Sequence, residues 1–489
     1  MSVARNLLIY GVGGAASRLA AIFLVPLYTR TLPIEDYGQL EVLLAIYMGA
    51  TLLIGLQSES AIARDYYETN SPDERRALYW NGLAISVAGF IGFAALTGLA
   101  ALAGLIPQAV SAYLPWLLPM ALAAQVLGIQ LVILRFAAKP VAFAFLSFLD
   151  LCLSALLSAA FILTLDLGIT GALAGILAAK AITSLLAWPA TFALRRGWFS
   201  RETVQRMLAY AIPTMPSVLM NWLQTTGSRV LLALFFSLAA VGLVGIAIKV
   251  AALYGFLTYS FRLAWEPYSF EKLSTVEDDP AVYDRAFQWY LLIMFPAAVA
   301  ATALSPLILS ILAPPSYSQA ARLAGFFIMG QFWVGALTIF GIGIHGARVT
   351  ALLTVVYGAG AALFFAILAL LAGPLGPTAA AIAAVSSAIL SALVAVYFSA
   401  RHFNVRFGKT ALLLAIIAST TFPAVSYVLF VPGSGALAQG LVVDNLHNSA
   451  LLLALGLLLL AIVCQLGFGG GATRRMRDQL WTVIADRHR

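Results

Sequence analysis

Residues 352–400 read LLTVVYGAGAALFFAILALLAGPLGPTAAAIAAVSSAILSALVAVYFSA, and no charged side chain occurs between Arg348 and Arg401. About 20 consecutive apolar residues suffice for a helix that crosses the hydrocarbon core of a bilayer, so this stretch is long enough for two. The Gly-Pro-Leu-Gly-Pro sequence at 373–377 separates the two apolar runs with strong turn-forming residues. The pattern predicts two helices that cross a membrane, joined by a short turn.

The same composition extends over the whole chain of 489 residues. It is 62% hydrophobic and 10% charged, and its mean hydropathy is +0.96. This composition predicts an integral membrane protein, with no long polar segment for a separate soluble domain. The net charge is +8, but the basic residues are spread over many short loops, so we expect no nucleic-acid partner.

Hydropathy, turns and charged breaks together predict an all-α polytopic membrane protein with about 14 transmembrane helices. The predicted helices lie at 6–28, 37–62, 77–106, 111–136, 140–165, 168–194, 207–234, 238–263, 284–312, 317–345, 349–373, 375–400, 410–431 and 447–468. No short apolar core with a small-residue cleavage site precedes the first helix, so we expect that helix to act as its own targeting signal.

The basic residues predict the orientation of the chain. With the N-terminus inside, the loops on that side contain Arg64, Arg75, Arg76, Arg135, Lys139, Arg195, Arg196, Arg201, Arg206, Lys272, Arg285, Arg348, Arg401, Arg406 and Lys409. The opposite loops contain essentially only Arg30. This asymmetry follows the positive-inside rule and predicts that both termini are cytoplasmic.

The chain also shows an internal repeat. The sequence LGITGA at 167–172 and the sequence LGPTAA at 375–380 each follow a short outside turn and open an alanine-rich helix. We therefore predict two six-helix lobes that share one orientation, followed by two extra C-terminal helices. The predicted domains are an N-terminal lobe at 1–200, a C-terminal lobe at 201–409, two extra helices at 410–470 and a cytoplasmic tail at 471–489.

Three groups of motifs resemble the Wzx-type flippases of polysaccharide biosynthesis. They are LYTRTL at 27–32 with EDYG at 35–38, YAIPTMP at 210–216 with Ser228-Arg229 and VGLVGIAIKVA at 241–251, and AWEP at 264–267 after the eighth predicted helix. Together with the layout of twelve duplicated helices plus two, the resemblance covers the whole chain.

The resemblance implies an alternating-access flippase, related to multidrug and toxin extrusion transporters, in the inner (cytoplasmic) membrane of a bacterium. Its implied cargo is a polyprenyl-diphosphate-linked oligosaccharide, moved from the cytoplasmic to the outer leaflet for polysaccharide export. The implied partners are this cargo, membrane lipids and other glycan-assembly proteins. The chain departs from many relatives at Ser228, where they have an acidic residue directly before the arginine.

The charged residues within the apolar helices are the candidate site residues, because a charge at the bilayer centre is costly and is kept for a partner or a function. Arg18 lies near mid-membrane in the first helix, and Lys249 lies at a similar depth in the eighth. Both are candidate substrate-binding cations, since fixed cations lower the cost of moving a diphosphate. Arg18 could instead pair with Glu41 or Glu59, for which a solvated or capping position is expected.

Arg229 is the third candidate substrate-binding residue. It lies near the outer end of its predicted helix, where its long side chain can reach the interface, so a solvated position is the simpler interpretation. Asp150 and Lys180, in the fifth and sixth helices, are within reach of each other and favour an internal ion pair. As an alternative, Asp150 could couple transport to H⁺ or Na⁺.

Two other functions are alternatives to a flippase. An exporter of drugs or small metabolites, coupled to an ion gradient, is the main alternative, although a cation exporter would favour carboxylates over the basic excess seen here. A glycan polymerase or ligase would be expected to have a large outside loop with catalytic residues. The sequence contains no nucleotide-binding loop and no spacing typical of a metal site, so we expect a transporter rather than an enzyme, without a cofactor.

Overall fold

The computed structural model describes residues 24–68, 71–137, 139–189, 191, 199–273, 282–346, 351–403, 407–430 and 438–467. All regular secondary structure within these ranges is helical. Eleven of the helices are long and apolar enough to cross a membrane. The predicted all-α polytopic membrane fold is therefore confirmed. The chain divides into two compact units, Met1–Gly245 and Ile246–Arg489, which are described separately.

In the described residues, unit 1 contains part of one helix, nine further helices and the start of an eleventh. They are α1 (24–31), α2 (Ile34–Gly55), α3 (Ser58–Glu68), α4 (Pro72–Leu102), α5 (Gln108–Ser111), α6 (Leu114–Phe136), α7 (Pro140–Leu163), α8 (Gly168–Ala187), α9 (Arg201–Gln224), α10 (Ser228–Phe235) and the first turns of α11 (Leu238–Leu273). Within the unit, α2 packs on α4 and α6, α7 pairs with α8, and α3 lies against α6 and α9.

Local sequence signals explain where several of these helices begin. Ser71 caps α4 by accepting a hydrogen bond from the backbone N–H of Asp73 at 3.2 Å, and Pro72 occupies the first turn, where its missing N–H is harmless. Ser200 caps α9 in the same way through the N–H of Thr203 at 3.3 Å. These caps position α4 and α9, which line one face of unit 1.

Two predicted helices of unit 1 are broken. The helix predicted at 37–62 is divided into α2 and α3 by Leu56 and Gln57, whose φ angles are 44° and 58°. The helix predicted at 207–234 is divided into α9 and α10, and Pro213 and Pro216 lie inside α9. Both breaks fall at short polar stretches, QSES at 57–60 and QTTGS at 224–228. Hydropathy averaged over a window of about 19 residues does not separate such short stretches from the apolar residues on either side.

Unit 2 contains the rest of α11 and eight further α-helices. They are α12 (Val282–Ala303), α13 (Ser305–Leu312), α14 (Ala320–Phe340), α15 (Ile342–Gly346), α16 (Leu352–Leu375), α17 (Thr378–Phe403), α18 (Lys409–Leu429) and α19 (Ala438–Gly467). The hairpin predicted from 352–400 corresponds to α16 and α17, which pack closely together. Helix α14 is the most buried of the candidate membrane helices, and the indole Nε1–H of Trp333 donates to Ser419 Oγ of α18 at 2.8 Å.

The remaining predicted spans lie in less apolar or undescribed parts of the chain. The first, at 6–28, lies mostly outside the described residues, the seventh contains α9, and the last contains the apolar stretch Asn448–Ile462 of α19. The eighth was predicted to end at 263, which is wrong: α11 continues to Leu273 through the AWEP motif. The predicted lobes at 1–200 and 201–409 stay a prediction. The division into two compact units does not test whether the two halves of the chain arose by duplication.

Candidate functional site

The candidate site residues predicted from the sequence lie in different parts of the chain, and one of them is not described by the structure. Arg18 lies outside the described residues. Asp150, Lys180 and Arg229 lie in unit 1, whereas Lys249 lies in unit 2. Among the described candidates, unit 1 thus contains Asp150, Lys180 and Arg229, and unit 2 contains Lys249.

The first group is a buried ion pair between α2 and α10. Arg229 Nε lies 2.7 Å from Glu41 Oε2, and the two side chains are only 10% and 4% exposed. Tyr37, one turn before Glu41 on α2, donates its hydroxyl hydrogen to Glu41 Oε1 at 2.9 Å. Each oxygen of Glu41 thus has a polar partner, as a buried carboxylate requires.

The helices around this pair approach closely because glycines line the crossing. A Cβ at Gly38 of α2 would overlap the carbonyl oxygen of Leu238 at the start of α11. A Cβ at Gly242 of α11 would lie 2.7 Å from the carbonyl oxygen of Ile34. Small residues permit this backbone contact, as they do at many helix interfaces in membranes. The EDYG and VGLVG motifs are therefore brought together in space.

This arrangement corrects two expectations. The solvated position expected for Arg229 is wrong, because Glu41 holds it in the interior of unit 1. The solvated or capping position expected for Glu41 is wrong for the same reason. Glu41, from another helix, provides the carboxylate that Ser228 does not. The available signal was Tyr37 four residues before Glu41, which places both side chains on one face of α2.

The second group pairs α7 with α8. Lys180 Nζ donates to Asp150 Oδ2 at 3.2 Å, and both side chains are largely buried. Asp150 Oδ1 is also buried and has no hydrogen-bond partner among the described residues. The structure thus brings together the two residues whose pairing the sequence favoured.

A third pair of unit 1 has no counterpart among the sequence-predicted residues. Arg206 Nε of α9 donates to Asp65 Oδ2 of α3 at 3.0 Å, and Asp65 is buried whereas Arg206 is half exposed. This pair holds α3 against α9, on the far side of the break that separates α3 from α2. Its partners are far apart in the sequence, so no spacing pattern could reveal them.

Unit 2 holds Lys249 on α11, where it is half buried. The AWEP motif lies further along the same helix, and its Trp265 is buried against Phe261, with ring centroids 6.0 Å apart. Glu266, exposed at the same end, pairs with Arg262 one turn earlier at 3.5 Å. This motif therefore contributes aromatic packing and an exposed ion pair at the end of α11.

No group of three or more His, Cys, Asp or Glu side chains suited to a metal ion occurs in the described part of the chain. The charged pairs of unit 1 connect α2 to α10, α7 to α8 and α3 to α9.

The sequence of residues 3–272 matches the model of the polysaccharide biosynthesis protein family. This match spans more than half of the chain, so the protein belongs to that family. The matched range includes Arg18, both buried ion pairs of unit 1 and Lys249. No curated protein sequence matches the chain.

Comparison with solved structures shows which fold this chain adopts. The chain is similar to the lipid II flippase MurJ in its inward closed conformation, with a TM-score of 0.68 and 14% identity over 93% of this chain and 98% of that one. It is also similar to an outward-facing multidrug resistance MATE family transporter of the MOP superfamily, with a TM-score of 0.57 and 15% identity over 82% and 95% of the two chains. The Vibrio cholerae MATE transporter VcmN in its bent form gives 0.53 and 18% over 82% and 97%. The fold is thus that of MurJ and the MATE transporters.

Proposed function

We propose that the protein is an alternating-access flippase that moves a polyprenyl-diphosphate-linked oligosaccharide from the cytoplasmic to the outer leaflet. The observation that carries this proposal is the family match over residues 3–272, because it joins polysaccharide biosynthesis to a polytopic membrane chain. The similarity to MurJ supports it, since that protein is a flippase of lipid II. The expected location is the inner membrane of a bacterium, with both termini cytoplasmic.

The charges of the helices suggest how such a cargo is carried. In unit 1, Arg229 and Lys180 are held by carboxylates, so their charges are already neutralised within the protein. Arg18, Lys249 and Arg229 are the proposed substrate-binding residues, and Arg229 serves the cargo only if it leaves Glu41. A diphosphate needs fixed cations because its charge is costly in a low-dielectric region.

A reconstituted transport assay tests the flippase proposal directly. Lipid-diphosphate-linked oligosaccharide is placed in proteoliposomes that contain the purified protein, and the fraction of sugar accessible to an outside reagent is followed with time. We expect protein-dependent exposure of the sugar. If several authentic glycans remain inaccessible while the protein is folded, the flippase proposal is wrong.

Two charge substitutions test the cationic sites in the same assay. We expect Arg18→Ala and Lys249→Ala to abolish transport while the protein still inserts into the membrane. Arg76→Ala serves as the control, because Arg76 lies at the exposed start of α4 and pairs locally with Asp73. Transport by both test variants at the wild-type rate would remove the cationic mechanism but not the flippase activity.

Coupling to H⁺ or Na⁺ is proposed for Asp150. The buried Oδ1 atom without a described partner supports this role, whereas the contact with Lys180 favours a structural pair. With a proton or sodium gradient imposed across the proteoliposomes, Asp150→Asn should lose the response to the gradient if Asp150 couples transport. An unchanged response, with normal basal transport, would leave Asp150 as a structural residue.

The second candidate is an exporter of drugs or small metabolites that is coupled to an ion gradient. The similarity to MATE transporters favours it, because the same fold carries multidrug resistance in those proteins. Efflux of a small organic cation, without movement of lipid-linked glycans, would select this candidate. For the flippase, the further partners we propose are membrane lipids and glycan-assembly proteins.

A further inference from the structure

A groove of about 390 Å³ lies in unit 1 between α4 and α9. Ala84 and Ala88 form one wall on α4, and Val204 and Leu208 form the other on α9. Phe199, just before α9, lies at the mouth and is 65% exposed. The volume falls in the range of about 300 to 1,000 Å³ that is typical of ligand pockets, and the lining is almost entirely hydrocarbon.

The groove exists because two fixed helices are separated by small side chains. The backbone N–H of Ser200 donates to Asn81 Oδ1 of α4 at 3.0 Å, which holds the start of α9 against α4. On the other side, Gly89 brings α4 so close to α2 that a Cβ there would overlap the carbonyl oxygen of Ile54. The alanines between these anchors are too short to fill the space.

The lining determines what kind of group can occupy the groove. An apolar space offers no partners to water, and an empty space forfeits dispersion contacts. Helix α4 is the least buried of the candidate membrane helices within the described residues, and its large apolar side chains, such as Leu96 and Leu99, are exposed. The groove therefore opens on a surface that contacts lipid, and a hydrocarbon chain is its natural occupant.

A cation lies at the end of the groove where α9 begins. Arg201 is exposed, and a rotation of 100° per residue places it within about 20° of Leu208 around the helix. It therefore extends the lining face of α9 by two turns towards the membrane interface. Arginine at this position attracts anionic headgroups and can hold phosphate oxygens with its planar fork.

We infer that this groove binds one acyl chain of an anionic phospholipid from the leaflet at the start of α9, with its phosphate on Arg201. The occupant is a resident lipid of the bilayer, because the groove opens on the lipid-facing side of α4. The inference does not depend on the proposed transport activity, so either can fail without the other.

Native mass spectrometry of the full-length protein tests the groove. The protein is purified in detergent and incubated with phosphatidylglycerol or with phosphatidylcholine of identical acyl chains. We expect one phosphatidylglycerol to be retained more strongly than any phosphatidylcholine. Ala88→Phe should remove this bound lipid, whereas Ala95→Phe should retain it, since Ala95 is exposed on nearly the same face of α4 two turns beyond the groove. Ala84→Leu fills the same groove if Ala88→Phe does not fold.

The headgroup contact has its own matched pair. Arg201→Gln should reduce the preference for phosphatidylglycerol severalfold, whereas Lys409→Gln should not change it. Each substitution removes a cation from the first position of a helix, but Lys409 lies in unit 2. Unchanged retention in Ala88→Phe or Ala84→Leu would mean that the groove is empty or filled by the chain itself, and would overturn the inference. An equal effect of both charge substitutions would overturn the role of Arg201.

Discussion

At the scale of residues, the ion pair of Glu41 with Arg229 connects two helices of unit 1. In the sequence, Arg229 is a charged residue in an apolar helix, and Ser228 before it replaces the acidic residue of many relatives. The sequence nevertheless predicts solvated positions for both Arg229 and Glu41. The structure buries the pair and engages Glu41 with Tyr37 as well. The sequence shows that both residues are charged and lie in apolar helices, but it does not predict their burial. The pairing could not be predicted either, because it depends on how α2 and α10 meet.

We expect the loss of either member of this pair to cost more stability than the loss of both. Glu41→Gln leaves the guanidinium of Arg229 buried without a counter-charge, and breaking a buried pair in this way costs about 3 to 5 kcal/mol. The double variant Glu41→Gln/Arg229→Met should cost clearly less. Unfolding in mixed micelles at increasing denaturing detergent measures the four free energies of the double-mutant cycle.

A surface pair provides the control for this cycle. Arg76 and Asp73 are 2.8 Å apart, but their side chains are 32% and 53% exposed. Their coupling should therefore be about 1 kcal/mol or less. Equal coupling energies in the two cycles would mean that burial does not strengthen the interaction between Glu41 and Arg229.

At the scale of helices, most elements could be predicted and their interruptions could not. The hairpin at 352–400 was predicted to within a few residues, because apolar length and turn residues are local properties. The break after α2 falls at Leu56 and Gln57, whose backbone is left-handed, whereas α9 continues through its prolines and ends at Gln224. Both breaks lie in short polar stretches, which hydropathy averaged over about 19 residues does not separate from their apolar neighbours.

The crossing of α2 and α11 should not tolerate a methyl group. Gly38→Ala would push its Cβ into the carbonyl oxygen of Leu238, and overpacking of this kind costs about 1 to 3 kcal/mol. Gly92→Ala on α4 meets no atom within 4 Å and should be neutral or stabilise the helix by up to about 1 kcal/mol. Thermal unfolding of the two variants in the same detergent compares them. A Gly38→Ala variant as stable as Gly92→Ala would contradict the close crossing.

The turn between α16 and α17 offers a test that isolates backbone conformation. Gly376 has a φ of 55° and a ψ of −142°, and a Cβ there would meet no atom within 4 Å. Gly376→Ala should still destabilise the protein by about 1 to 3 kcal/mol, because such angles are strained for any residue with a Cβ. Gly373→Ala, equally unobstructed but helical, should not. Equal melting temperatures for the two variants would contradict the assigned turn.

At the scale of the whole molecule, the number and direction of the spans determine which side of the membrane each end of the transport path faces. The sequence predicts about 14 spans from hydropathy and their orientation from the basic loops, and eleven described helices are long and apolar enough to qualify. The family match and the MurJ-like fold agree with a polytopic membrane protein. The orientation depends on charge bias over short loops, which acts during insertion and leaves no mark on helix packing.

Accessibility of single cysteines tests this orientation. In a background with Cys152 and Cys464 replaced by serine, Gln108→Cys and Leu375→Cys should react with a membrane-impermeant maleimide added outside intact cells. Eight predicted helices lie between these two positions, and an even number returns the chain to the same side.

Arg76→Cys and Arg401→Cys should react only after the membrane is opened, because both positions carry the basic residues that favour the cytoplasm.

If residues 108 and 375 are labelled from opposite sides, an odd number of spans separates them. Two equally directed lobes are then impossible. If both are labelled only from inside, the spans are right but the orientation is reversed. The start of α9 would then face outside, and a cargo that begins its path in the cytoplasm would meet the opposite ends of the helices.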